Sequence, residues 1–170
     1  MTKIISLDCE SNGLHGQVFA TAVSVQEDGR EIGGFTARCP IVGDVDPWVA
    51  EHVLPTLVDV PVTHDDYGAI LASWRTHHDR LKTMGFMVVC HIAWPVEARF
   101  LWDAHRDEPF SGPFPLLDVA STLHAIGADP TSVDEYLTAQ GIEPPAGRPH
   151  DPLYDARATA LAYWRLTGSG

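Results

Sequence analysis

Apolar and polar positions along the chain alternate between two periods. "KIISLD" (3–8) is an apolar run that reads as a buried strand, and "VFATAVSVQ" (18–26), with small and β-branched residues, reads as a second. The Asp-Gly pair of "EDGRE" predicts a tight turn into a third strand, "EIGGFTARC" (31–39). Three strands on short connections predict an antiparallel meander. The period then lengthens. "DPWVAEHVLP" (46–55) predicts a short helix with Asp46 as N-cap and Pro47 at its first position. Residues 63–85 place Ile70, Leu71, Trp74 and Leu81 at helical spacing and stop at Gly85.

"FMVVC" (86–90) is a continuous apolar run, the mark of a strand buried on both faces. Residues 95–106 predict a helix, and 113–121 a short strand running into "STLHAIG". Residues 131–142 predict a helix capped by Thr131 or Ser132 with Glu135. After the Pro/Gly-rich loop "EPPAGRP", "DPLYDARATALAYWRL" (151–166) predicts an alanine-rich helix capped by Asp151, with Pro152 at its first position. A meander followed by alternating helices and strands fits one α/β domain over residues 1–170 with a mixed sheet. Trp48, Trp74, Trp102 and Trp164 are assigned to its core, and His77 and His78 to solvent.

Composition narrows the function classes. The chain is 45% hydrophobic and 20% charged, as expected of a globular domain rather than a disordered one. No apolar run is long enough for a membrane span, and "MTKIISLDCE" lacks a secretory apolar segment. Cys9, Cys39 and Cys90 form neither a disulfide framework nor a zinc pattern. The expectation is a cytoplasmic protein with reduced thiols and no membrane partner. A net charge of −12, from 11 Lys and Arg against 23 Asp and Glu, argues against tight duplex-DNA binding through bulk electrostatics. It leaves room for an acidic site that binds phosphate through cations.

Three segments carry candidate chemistry. In a strand, Asp8 and Glu10 point to the same face and Cys9 to the other. Two adjacent carboxylates resist ionising together unless a cation is present, and hard divalent ions prefer oxygen ligands. His150 lies just before the last helix and Asp155 in its first turns, so the two can face one cleft; a His beside a carboxylate suits general base catalysis. Glu97 opens the helix after the buried strand and can reach the same site. Each segment alone also reads as ordinary structure: a solvated strand end, a loop His, an acid favoured at a helix N-terminus.

Together the segments resemble the DEDD exonuclease superfamily, in the DEDDh (DnaQ-like) branch that has a His in its last motif. "DCESNGL" is similar to the first motif, Asp-x-Glu-Thr-x-Gly-Leu, with Ser11 in place of Thr. "EARFL" resembles the second, "LLDVASTL" (116–123) an intervening segment, and "HDPLYDA" the third. The second-motif acid is usually Asp and here is Glu97; the Asn that usually follows the preceding His is Ile92. The resemblance implies a ribonuclease H-like three-layer α/β fold, a central mixed sheet flanked by helices. It implies a 3′-5′ exonuclease acting on a single-stranded DNA or RNA 3′ end, with two divalent metal ions, Mg2+ or Mn2+. Asp8, Glu10, Glu97 and Asp155 would be the metal ligands and His150 the general base. Ser11, Asn12, Gly13, Leu14, His91 and Trp94 would line the substrate groove, His15 beside them. A homodimer and a polymerase-associated subunit are both compatible with this family. The alternative is a non-catalytic nucleic-acid-binding or interaction module that keeps the fold.

Overall fold

A computed structural model of the chain describes residues 2–108 and 110–168. Its centre is a five-stranded sheet in the order β3-β2-β1-β4-β5, formed by β1 (Lys3–Ser11), β2 (Val18–Glu27), β3 (Arg30–Arg38), β4 (Met87–Cys90) and β5 (Leu116–Asp118). β1 to β3 form the antiparallel meander, while β4 and β5 add parallel to the other edge of β1. β1 is therefore central, and its alternation feeds two cores. Ile5, Leu7 and Cys9 join a cluster with Phe19, Trp74 and Phe100 on one face. Ile4 joins Val89, Leu123, Leu137 and Trp164 on the other.

Six helices cover the two faces: α1 (Pro47–His52), α2 (Tyr67–Thr83), α3 (Val96–His105), α4 (Val119–Ala125), α5 (Val133–Ala139) and α6 (Pro152–Thr167). The expected caps are present. Asp46 accepts the Trp48 and Val49 N–H groups, Ser132 that of Glu135, and Asp151 that of Leu153. α6 ends in Gly168 with φ 63°, the left-handed stop that glycine adopts without a Cβ clash. The α2 face is set by Ile70, Trp74 and His78, all buried. His78 is thus in the core, against the solvated position expected of it. Its pKa is lowered to about 4, chiefly by burial. Trp48 and Trp102 depart in the opposite direction, being 52% and 63% exposed. Among the described residues no helix is long and apolar enough to cross a membrane.

α6 is fixed on the sheet by its small residues and by one polar chain. Ala156, Ala158, Ala160 and Ala162 are buried, which lets the helix axis lie close to the strands. Trp164 Nε1 donates to Gln26 Oε1 at 2.6 Å, Gln26 Nε2 to Ser24 Oγ at 2.9 Å, and Ser24 Oγ to Glu31 Oε2 at 2.8 Å. Arg157 completes the chain with two bonds to Glu31. Trp164→Phe removes the indole N–H with part of the ring volume and leaves Gln26 Oε1 without its donor in a buried setting. It should cost about 1–3 kcal/mol in urea denaturation; an unchanged midpoint would show that this bond does not hold α6.

Candidate active site

β1 and β4 are paired only from Ile4 to Ser6. Beyond Ser6, the β4-side edge of β1 has no strand partner, and α3 fills the gap. The Cys9 N–H donates to Glu97 Oε1 at 3.2 Å, which brings the first turn of α3 beside the two β1 acids. Across β2, the neighbours of Asp8 and Glu10 are Ala22 and Ala20, small side chains that carry no counter-charge. On the remaining side stands α6. His150 precedes its cap with φ 65°, an uncommon left-handed conformation for a non-glycine residue. That turn lets the His150 N–H donate to Asp155 Oδ2 at 2.8 Å. Ligand atoms of Glu10, His150 and Asp155 lie within 4.8 Å of one another, with His150 Nδ1 and Glu10 Oε1 3.7 Å apart.

The electrostatics follow from burial of like charges. The Asp8 pKa is pushed well above the usual carboxylate range, first by burial, then by the charges of Asp155, Glu10 and Glu97. Burial raises Glu10 as well, with His150 opposing. Glu97 is raised to about 8, chiefly by burial, although the Cys9 N–H favours its charged form. Asp155 is raised to about 7 for the same first reason, with the His150 N–H opposing. The Glu10 carboxylate raises His150, and burial pulls it back.

A cavity of about 440 Å3 is lined by Asp8, Glu10, Glu97, His150 and Asp155, together with Leu14, His91 and Trp94. A second of about 440 Å3 adjoins it, lined by Ser11, Gly13, Leu14, Asp46, Trp48 and His150. Leu14, 65% exposed, lines both, and Trp94 is 73% exposed at the rim of the first. Asn12 lines neither. Its side chain donates to Asp44 O and accepts the Asp46 N–H, tying the β1–β2 loop to the α1 cap. Ser11 Oγ donates to Gly13 O, and a Cβ on Gly13 (φ 80°) would meet Asp46 Oδ2 at 3.0 Å. His91 Nε2 bonds Pro130 O. His15 lines neither cavity; its carbonyl accepts Arg99 Nη1 at 2.6 Å.

The 47–56 segment adds residues that the sequence reading did not place here. The Trp48 ring meets His150 edge-to-face at 5.3 Å between centroids. Thr56 Oγ1 donates to His150 O at 2.6 Å, and Arg148 Nη2 donates to Thr56 O at 2.9 Å. The signal available for Trp48 was its place just inside an Asp-Pro cap, where the first turn of a short surface helix leaves it half outside the core.

No family model matches the chain, and no curated protein does. Solved structures do match. A 3′-exonuclease, described in 3′-end specific recognition of a histone mRNA stem-loop, aligns at TM-score 0.74 and 15% identity, covering 99% of this chain and 82% of its own. The nuclease domain of 3′hExo, a DEDDh family member bound to rAMP, aligns at TM-score 0.68 and 15% identity, over 99% and 92%. Exonuclease X, in complex with 5′ overhanging duplex DNA, aligns at 0.64 and 17%, over 100% and 93%. The chain has the ribonuclease H-like fold of the DEDDh exonucleases.

The acidic cluster fits divalent cations. Asp8 Oδ2 is buried with no hydrogen-bond partner. The four carboxylates form a hard-oxygen donor set of the kind Mg2+ and Mn2+ take. Neither cavity is lined by a Lys or Arg among the described residues, so His150 alone offsets the cluster's charge from within it.

The sign of the pH dependence follows. An unfolded Glu or Asp titrates near pH 4, so between about pH 4 and the folded values the native chain holds protons that the unfolded chain has released. Stability is therefore present at low pH and lost as pH rises through about 7 and 8. His78 and His105, both lowered, act with the opposite sign but below about pH 6.5. In chelator, stability should fall between about pH 6.5 and 8, by up to about 1.4 kcal/mol per pH unit for each retained proton. Glu97→Gln should flatten the slope, and saturating Mg2+ or Mn2+ should restore stability at the alkaline end. Urea denaturation at each pH checks this, and a flat profile in chelator would refute it.

Proposed function

We propose that the protein is a metal-dependent 3′-5′ exonuclease that hydrolyses phosphodiester bonds at the 3′ end of single-stranded DNA or RNA. The observation that carries this reading is the convergence of Asp8, Glu10, Glu97, His150 and Asp155, from three distant segments, on one cavity. The fold shared with DEDDh exonucleases supports it. Divalent cations held by the four carboxylates would supply Lewis-acid stabilisation of the phosphate and a more acidic water.

The chain's own residues do the rest. Water attacks phosphorus, the P–O3′ bond breaks, O3′ takes a proton from solvent, and a nucleoside 5′-monophosphate leaves a strand one unit shorter with a 3′ hydroxyl. His150 takes the proton of the attacking water. Its Nδ1 faces Glu10, so Glu10 favours the tautomer with hydrogen on Nδ1 and leaves the Nε2 lone pair free to accept. Glu10 thus both binds and orients. Leu14, between the two cavities, would pack against the terminal bases, with Trp94 and His91 lining the first cavity. The non-catalytic alternative draws on Glu97 and Ile92 standing where Asp and Asn are usual. Against it, the Glu97 carboxylate reaches the β1 backbone beside Asp8 and lines the same cavity.

A 5′-labelled single strand with Mg2+ or Mn2+ should give a ladder shortened from the 3′ end, and none with chelator. His150→Ala should lower kcat by about 10²–10⁴-fold while the cation-induced rise in Tm persists. Asp8→Ala should remove both the activity and the Tm response. Intact DNA and RNA with either metal would reject the exonuclease and favour the binding module.

A further inference from the structure

None of the eleven Lys and Arg of the chain lines either cavity. Seven are engaged by acceptors of the chain itself. Lys3 pairs with Glu27, Arg157 with Glu31, and Arg165 with Gln140. Lys82, Arg38, Arg99 and Arg148 donate to backbone carbonyls. Arg30 stands opposite Glu27 in the β2–β3 register, and Glu27 stands opposite Lys3 at the start of β1; seven residues separate Lys3 from Glu10, or about 24 Å of strand. Arg80 and Arg106 lie at the C-terminal ends of α2 and α3, the same end of the fold. Arg75 lines a separate groove with Asp79 and Glu108.

The cavities themselves are apolar and acidic. Exposed Leu14, Trp48 and Trp94 provide faces for bases, and such stacking needs no phosphate contact. Asp134 lines the first cavity and Asp46 the second, so acids extend beyond the metal-ligand set. Arg38, level with Glu10 two strands away, Arg99 and Arg148 stand nearest the site, and each already holds a loop through a carbonyl. A strand running on from the site would meet like charge and no cationic track.

We infer that the substrate is a short oligonucleotide, gripped through the bases of its 3′-terminal nucleotides in the two adjoining cavities, and that a longer strand gains nothing from its added phosphates. This rests on the exonuclease reading and names its substrate class.

The test is KM against strand length and salt, at fixed excess Mg2+ or Mn2+, with 5′-labelled strands of about three and about twenty nucleotides. With at most three phosphate contacts, from Arg38, Arg99 and Arg148, KM should rise no more than about twentyfold between about 50 and 200 mM KCl; five contacts would give about a hundredfold. KM should differ less than about tenfold between the two lengths. A tenfold or greater advantage of the long strand, or a salt dependence nearer the hundredfold figure, would overturn the inference while leaving the exonuclease intact. No shortening of either strand with either metal would overturn the underlying reading instead.

Discussion

Mutual repulsion among four carboxylates, Glu10 and Glu97 buried and Asp8 and Asp155 half-buried, is the constraint around which this fold is arranged. Asp8, Glu10, Glu97 and Asp155 line one cavity whose basic groups are two imidazoles, His150 beside Glu10 and His91 bonded to Pro130 O, with no Lys or Arg among the described residues. Each has a raised pKa, and in each burial is the largest cause. Such a cluster persists only because its members hang from rigid elements and cannot swing apart. Asp8 and Glu10 belong to the central strand, while Glu97 and Asp155 are each held by a backbone N–H, of Cys9 and His150 respectively. The cores on both faces of the sheet supply the free energy that keeps these charges together.

The base loop depends on a different support. His150 has no regular element of its own; it stands in a left-handed turn between the Pro/Gly-rich loop and α6. Its carbonyl is held by Thr56, its N–H by Asp155, and its ring by Trp48. The 47–56 segment therefore acts as a second wall of the site. The other histidine cluster, His78 with Asp79 and His105, differs in kind. His105 accepts from Trp74 Nε1 and bonds Ser111 Oγ, so both its nitrogens are engaged in joining α2 to the loop after α3. A metal there would have to break one of these bonds, which makes the cluster a packing feature.

The elements were legible in the sequence because their ends are chemically marked. Asp46, Ser132 and Asp151 cap where their residue types predict, and the Asp-Gly turn joins β2 to β3. The juxtaposition of Asp8 and Glu10 follows from strand alternation alone. Side-chain burial on helices was less legible, because histidine and tryptophan side chains are at home both in a core and at a surface. His78 continues the stripe of Ile70 and Trp74 at four-residue intervals, so period alone places it inside. On α3, Phe100, Leu101, Ala104 and His105 are buried, and Trp102 falls on the opposite side of the helix. The role of 47–56 was not legible, because contacts such as Thr56 to His150 span 94 residues with no local pattern.

Glu97 illustrates how backbone geometry selects side-chain length. The acid sits in the first turn of α3, and its carboxylate must cross to β1, where the pairing with β4 has already ended. There it accepts the Cys9 N–H, a buried donor on a strand edge that nothing else on that side satisfies. An unpaired buried N–H costs about 1–3 kcal/mol, so the residue at this position must reach the backbone as well as face the cavity. The additional methylene of Glu over Asp supplies reach at the position where α3 replaces a strand. One carboxylate then closes the gap in the sheet and lines the acidic cavity, which ties the reach of Glu97 to where the pairing with β4 stops.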